Sequence, residues 1–290
     1  MLLLAGSTGR LGSRIARELL SARTAVRVLC RPTSGFAPLR RMGAEIVFGD
    51  LREPETLRAA CVGIDTVMTT ASALRHEGEH ALESVDVQGT GALMQAAVSG
   101  GARRVLFVSA RGADSASPQP VLAAKGRAEA WVRDCGLAWT VLAPSLTMEA
   151  GPGEVVGRPL MANQPVLIAG NGETRHSFIA EHDVAAFCVA AITNEAAVNR
   201  RLELGGPQAV SWRDVMAVYE AALGRAGVVQ YESVGARNDA LTPGMQHLLA
   251  AMDVTGAPVD SAALAQELGV RQTPLEAWVR ASLAMTRRGA

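Results

Sequence analysis

Gly6, Gly9 and Gly12 recur at every third position inside the opening stretch MLLLAGSTGRLG. The apolar run Leu2 to Ala5 stands before them, and Leu11, Ile15, Leu19 and Leu20 follow at roughly helical spacing. Strand, glycine turn and helix in that order can hold a phosphate. One glycine makes the tight turn, a second lets backbone approach a pyrophosphate, and a third lets helix pack on strand. The helix N-terminus adds unpaired N–H groups and partial positive charge. Ser7 and Thr8 bring hydroxyls to this loop and Arg10 brings a guanidinium. Gly6, Ser7, Thr8, Gly9, Arg10, Leu11 and Gly12 are therefore the expected nucleotide loop. A glycine triplet alone is unspecific; the flanking strand and helix and the βα alternation downstream give it meaning.

Other residues extend the chemistry. The apolar stretch Ala25 to Cys30 ends in Arg31, with no Asp or Glu beside it. A carboxylate at that strand end suits a ribose 2′-hydroxyl, whereas an arginine suits a 2′-phosphate. This favours NADP(H), with NAD(H) as the alternative. Asp50 and Leu51 follow the strand Glu45 to Phe48. There the carboxylate can accept from an adenine amino group and the leucine can pack on the ring, or Asp50 can cap the next helix. Thr70, Ala71 and Ser72 leave the strand Ile64 to Thr70, and their small size lets a ribose and nicotinamide pass close to the backbone. His76 and His80 stand four apart, but nothing near them has the spacing of a metal site. His76 is assigned to a substrate mouth or to a solvated helical turn, and no metal is expected.

The elements that position these groups alternate. Strands are expected at 1–5, 25–30, 45–48, 64–70, 104–108 and 137–142. Helices are expected at 10–22, 36–42, 54–61, 81–100 and from 121 to a stop at Gly136. Gly89 and Gly91, inside the long helix, point to close packing of backbone there. Six strands alternating with helices make a doubly wound parallel sheet of the Rossmann type, an α/β fold. The expected domains are a nucleotide-binding domain over 1–145 and a smaller C-terminal α/β substrate lobe over 146–290, with a chain crossover between them allowed. In the second lobe, 149–173 is rich in Gly and Pro. A helix is expected around Asp183, Ala186 and Val189, and a short strand over Leu202 to Gly206. Another helix runs from an N-cap at Ser211, with Asp214 at its third position, to Gly224. The tail from 243 is helical in pattern, including Thr273 to Met285.

Composition limits the partners. Among 290 residues, 28 are basic and 28 acidic, so no net field invites nucleic acid or a membrane surface. Nearly half of the chain, 49%, is apolar and only 4% aromatic, which suits an Ala/Val/Leu core and not base stacking. Cys30, Cys61, Cys135 and Cys188 are scattered and read as buried thiols. No apolar run is long enough to span a bilayer, and the N-terminal strand lacks the marks of a secretory signal. A cytoplasmic protein acting on a small molecule is expected.

Taken together, these segments resemble the NmrA-like, atypical branch of the short-chain dehydrogenase/reductase proteins over nearly the whole chain. The resemblance rests on AGSTGRLG, on Arg31, on GDL at 49–51 and on TGALMQAAVSGGARRVLFVSA at 90–110. It continues through Lys125, LAPS at 142–145, HSFIAEHDVA at 176–185 and LELGGPQAVSWRDV at 202–215. It implies that Lys125 bonds the nicotinamide ribose and is catalytic, and that Ser109 orients a substrate carbonyl. It also implies that Pro144 and Ser145 flank the cofactor and that His176 faces substrate. One departure matters. The position four before Lys125, where typical members carry a tyrosine acid, is Val121. A valine cannot donate a proton.

That inventory favours hydride transfer from NADPH to a quinone or similar conjugated carbonyl, in a cleft between the lobes. Such an acceptor needs little electrophilic help. The alternative is a non-catalytic NAD(P)-binding sensor or assembly protein with a protein partner on its second lobe.

Overall fold

Strands covered on both faces must be apolar throughout, and the first strand shows it: all of Leu2–Ala5 is buried. The structure is a computed structural model and describes residues 1–73, 81–233 and 258–289. Its chain divides into two units. The first comprises Met1–Ala143 and Val184–Leu202, the second Pro144–Asp183 and Glu203–Ala290.

In the first unit the strands are β1 (Leu2–Ala5), β2 (Val26–Cys30), β3 (Glu45–Phe48), β4 (Thr66–Thr69), β5 (Arg104–Val108) and β6 (Ala138–Pro144). They lie in the order β3-β2-β1-β4-β5-β6, and the strand Arg200–Leu204 follows β6. Neighbours among β1–β6 run parallel, with Ala5 opposite both Leu29 and Thr69. The order reverses direction between β1 and β4. At that point the helices leave for opposite faces and a crevice opens beyond the carboxyl ends of the strands. Helices α1 (Arg10–Ser21), α2 (Ala37–Arg41), α3 (Pro54–Cys61), α4 (Gly89–Ser99) and α5 (Pro120–Asp134) cover the sheet. Leu3, Leu57, Val67, Leu93, Phe107 and Val141 belong to one apolar core.

Three features differ from the sequence reading. Helix α1 buries Gly12, Ile15, Ala16 and Leu19, whereas Leu11 and Leu20 are half-buried. Its smallest residues face inward, which brings its axis close to the sheet. The helix expected over 81–100 starts as a π-helical segment, Leu82–Gln88, and only then becomes α4. Its glycines have the expected cause. A Cβ on Gly89 would stand 2.8 Å from the Leu51 Cβ, and one on Gly91 would stand 2.8 Å from the Trp131 ring. Finally, residues 184–202 belong to the first unit, a crossover that the division at 145 allowed but did not locate. The buried Arg104 guanidinium holds them there, donating to the carbonyls of Ala191 at 2.8 Å and Asn194 at 3.2 Å.

The second unit has its own core, with Leu146, Val156, Phe178, Trp212, Tyr219 and Trp278 among its members. The Gly- and Pro-rich stretch contains a π-helical segment, Glu149–Gly157, and a short helix, Arg158–Met161, which composition concealed. Gly157 is needed because a Cβ would meet the Tyr219 hydroxyl at 2.4 Å. Helix Trp212–Leu223 starts in a capping box between Ser211 and Asp214 and stops at Gly224, whose φ is +68°. Helices Ala262–Glu267 and Leu275–Gly289 close the described chain. No helix among the described residues is long and apolar enough to cross a membrane. All four cysteines are free thiols.

Candidate functional site

The first unit carries a groove of about 540 Å³ beyond the ends of β1, β2, β3 and β4. Its base is the glycine loop. Gly6 has a φ of +79°, and a Cβ there would stand 2.6 Å from the Ala71 nitrogen. A Cβ on Gly12 would stand 2.1 Å from the Gly6 carbonyl oxygen, so the start of α1 lies directly against the loop. The Gly9 N–H donates to that carbonyl at 3.1 Å, and the Thr70 hydroxyl donates to it at 3.3 Å. Gly9 is the N-cap of α1 and offers no side chain to the helix's first N–H groups. An uncapped N-terminus beside a glycine loop is an anion site.

Gly6, Thr8 and Gly9 line the groove. Ser7 does not: it is buried, and its hydroxyl has no hydrogen-bond partner. Arg10 is exposed, Leu11 is half-buried and Gly12 is buried under the loop, all three outside the groove lining.

Arg31 lines the groove at the end of β2, together with Ser34. Asp50 and Leu51 line it beyond β3. The Asp50 carboxylate, however, is engaged by Arg52. It accepts from the Arg52 backbone N–H at 3.0 Å, from Nε at 3.0 Å and from Nη2 at 2.7 Å. These hydrogen bonds hold its carboxyl below the ordinary value. Arg52 also lines the groove, so the group presented there is an ion pair and not a lone carboxylate. The sequence reading missed this, because the turn that aims Arg52 back at Asp50 is formed by the side chains themselves. Thr70, Ala71, Ser72 and Ala73 form the wall beyond β4, and Ser84 and Val85 of the π-helical segment face it.

Lys125 is buried in α5. Its ammonium stands 3.1 Å from Asp86 Oδ1, donates to the Val108 carbonyl at 3.4 Å and lies 5.0 Å from the Phe107 ring centroid. The other Asp86 oxygen accepts from the Ala73 N–H at 2.8 Å. Lys125 is thus joined through Asp86 to a residue of the groove wall.

Ser109 does not present its proton to the groove. Its hydroxyl donates to Glu129 Oε1 at 2.6 Å, and both residues are buried. Arg201 and Arg133 bond the same carboxylate. A proton committed to a charged acceptor is not available to a substrate carbonyl. The role expected of Ser109 is therefore corrected: it tethers the end of β5 to α5.

Three further expectations are corrected. Pro144 ends β6 and Ser145 follows it, both outside the groove lining, and the Ser145 hydroxyl donates to the Ser177 carbonyl. His176 is buried, its ring 5.4 Å from that of Phe178 and 5.9 Å from that of Trp212. It is a core histidine on the short strand Arg175–His176, whose alternation sends it inward. His76 lies outside the described residues. Among the described residues, no cluster of His, Cys, Asp or Glu has the makings of a metal site.

The NAD(P)H-binding family matches residues 6–195. The chain belongs to that family. The expected resemblance to NAD(P)-binding proteins is thereby met. The NAD(P)H azoreductase of Xenophilus azovorans is 31% identical over 78% of this chain and 74% of its own. The photosystem II assembly factor Ycf39 of Trieres chinensis is 28% identical over 79% of this chain and 70% of its own. The NADPH-dependent quinone oxidoreductase QOR2 of Escherichia coli, complexed with NADPH, superposes with a TM-score of 0.81 at 20% identity, covering 98% of this chain and all of the other.

The residues present fit the family's dinucleotide. Two glycines leave no room for a Cβ, the helix N-terminus is uncapped, and the Arg31 guanidinium lines the groove at the end of β2.

Proposed function

We propose that the protein uses NADPH to reduce a conjugated acceptor, a quinone or a comparably electron-poor group such as an azo bond. The glycine loop and the α1 N-terminus hold the pyrophosphate. Arg31 pairs with the 2′-phosphate, which favours NADPH over NADH. Leu51 packs near the adenine, and the Asp50–Arg52 pair closes that end. Thr70 to Ala73 give the nicotinamide half a wall of small residues. Lys125, held by Asp86, bonds the nicotinamide ribose.

The dinucleotide, when bound, supplies a hydride. The chain supplies position, but no acid at the usual place. One observation carries this reading: the Ser109 hydroxyl is committed to Glu129, while Val121 replaces the tyrosine that would protonate a simple alkoxide. An acceptor that becomes a stabilised anion needs no such acid. A quinone becomes a phenolate on hydride transfer and takes its proton from water. An azo bond gains the hydride on one nitrogen and a proton on the other. The relatives named as azoreductase and quinone oxidoreductase support the same class of acceptor.

The test is an acceptor panel followed by NADPH oxidation. Quinones and azo compounds should turn over with saturation, and a simple ketone of similar size should not. Equal turnover of the ketone would show that a protein acid exists after all.

A second reading has its own support. The Ycf39 relatives are named as assembly factors, and the missing acid also suits a nucleotide-binding protein that docks on a partner without turnover. It predicts tight nucleotide binding and no oxidation with any acceptor.

A further inference from the structure

Asp86 is almost wholly buried, yet it is a carboxylate. Burial of such a group is costly unless both oxygens find partners. Here Oδ2 is hydrogen-bonded, and Oδ1, without a hydrogen-bond partner, is compensated by a neighbouring charge alone. Oδ2 accepts the Ala73 N–H at 2.8 Å, at the end of the β4 wall. Oδ1 faces the Lys125 ammonium at 3.1 Å, on α5. The π-helical segment Leu82–Gln88 makes this possible. Its wider turn sends Ser84 and Val85 toward the groove and Asp86 and Val87 into the interior. Local π-helical geometry of this kind recurs at functional sites.

We infer that Asp86 is a positioning residue, which fixes Lys125 and the turn after β4 as one unit beneath the nicotinamide end of the groove. The inference rests on the reading that the groove holds NAD(P)H. Lys125 has two anchors, Asp86 and the Val108 carbonyl, and the Phe107 ring lies against its ammonium. The ammonium is thus confined to one place, buried behind the groove wall and not itself among the lining residues. The same carboxylate holds Ala73, three residues beyond Thr70, whose hydroxyl bonds the Gly6 carbonyl. The lysine and the glycine loop are therefore tied to one stretch of wall. Loss of the Asp86 charge would release both the lysine and its register with that wall.

The test is a cycle of Asp86→Asn, Lys125→Met and the double variant. NADPH dissociation constants are read by fluorescence titration, with thermal melts alongside. Asn can still accept the Ala73 N–H, so this change isolates the charge. Each single variant is expected to weaken NADPH binding about tenfold, as for loss of one charge-assisted hydrogen bond. The double variant is expected to bind like Lys125→Met alone, because Asp86 acts through the lysine. Asp86→Glu should recover part of the loss. Multiplying effects in the double variant, or lowered melting temperatures with unchanged dissociation constants, would overturn the inference and leave a purely structural pair. If Asp86→Asn does not fold, the double variant removes both charges together, and its comparison with Lys125→Met separates the same two outcomes. If the wild type binds NADPH but reduces nothing, the proposed reaction fails while this cycle still reads. If the wild type binds no nucleotide, the groove reading fails and takes this inference with it.

Discussion

The hydroxyl of Ser109 donates to the carboxylate of Glu129 across 2.6 Å, in a position closed to solvent. The two residues lie twenty apart in the chain, at the end of β5 and in the middle of α5. Arg201, from the returning strand, bonds the same carboxylate at 3.1 Å. This network explains why the hydroxyl is unavailable to a substrate. Ser109→Ala should leave quinone reduction essentially unchanged. It should cost about 1.5–3 kcal/mol of stability, the worth of a hydrogen bond to a charged group. Steady-state rates and chemical denaturation check the two halves. A large loss of rate with stability intact would mean that the hydroxyl turns to the substrate.

The glycine loop gives a sharper stability and binding test. Gly12→Ala places a Cβ 2.1 Å from the Gly6 carbonyl oxygen, a backbone atom that cannot move aside. Nucleotide binding should be lost in titration. Gly35 is the control, since a Cβ there meets nothing within 4 Å. Gly35→Ala should bind normally and be neutral or more stable by about 0.4–1 kcal/mol, through a restricted unfolded chain.

On the proposed reading, Arg31 sets the cofactor preference. Arg31→Ala should raise the NADPH dissociation constant about ten- to a hundredfold, as for a lost charge-assisted contact, and leave that for NADH unchanged. Parallel titrations with the two nucleotides decide it. Equal weakening of both would place the guanidinium on the pyrophosphate instead.

The capping box of the second unit gives a pH-dependent signature. The backbone N–H of Ser211, above all, holds the Asp214 carboxyl below its ordinary value, with help from its hydroxyl and from Arg175. Because the folded value is depressed, this contribution is full above the unfolded carboxylate's range, at about 3.9. It is lost as pH falls through the folded value. Ser211→Ala should cost about 1 kcal/mol at neutral pH, and the deficit should shrink in acid. Denaturation at neutral and acidic pH measures both.

Much of the first unit can be read from the chain. Its central strands β1 and β5 are largely apolar because they are buried throughout, and Gly6 and Gly12 of the loop stand where a Cβ has no room. The groove lining is legible for the same reason: Gly6, Gly9, Arg31 and Thr70 lie at strand ends that the alternation of elements locates. What periodicity could not show depends on contacts distant in sequence or on local geometry with no distinct residue pattern. The π-helical turn that buries Asp86 reads like ordinary helix. Glu129 looks like a solvated helix charge until Ser109 and Arg201 are placed beside it. Arg52 becomes a groove residue only through its fork on Asp50. His176 alternates into an aromatic core, a fact set by Trp212, thirty-six residues later. In Glu149–Gly157, the glycines and Pro152 hide a helical segment that packs around large side chains.

The central claim is that NADPH held in this groove reduces a conjugated acceptor with Lys125 at the site. The most direct measurement is single-turnover oxidation of protein-bound NADPH on mixing with a quinone, for the wild type and for Lys125→Met loaded to saturation. The wild type should show a rate that saturates with quinone, and the variant should be slower by about a hundredfold, the cost of a nicotinamide held about 1 Å out of place. A wild type that binds NADPH tightly but oxidises it with no quinone or azo acceptor, or a variant that keeps the full rate, would contradict it.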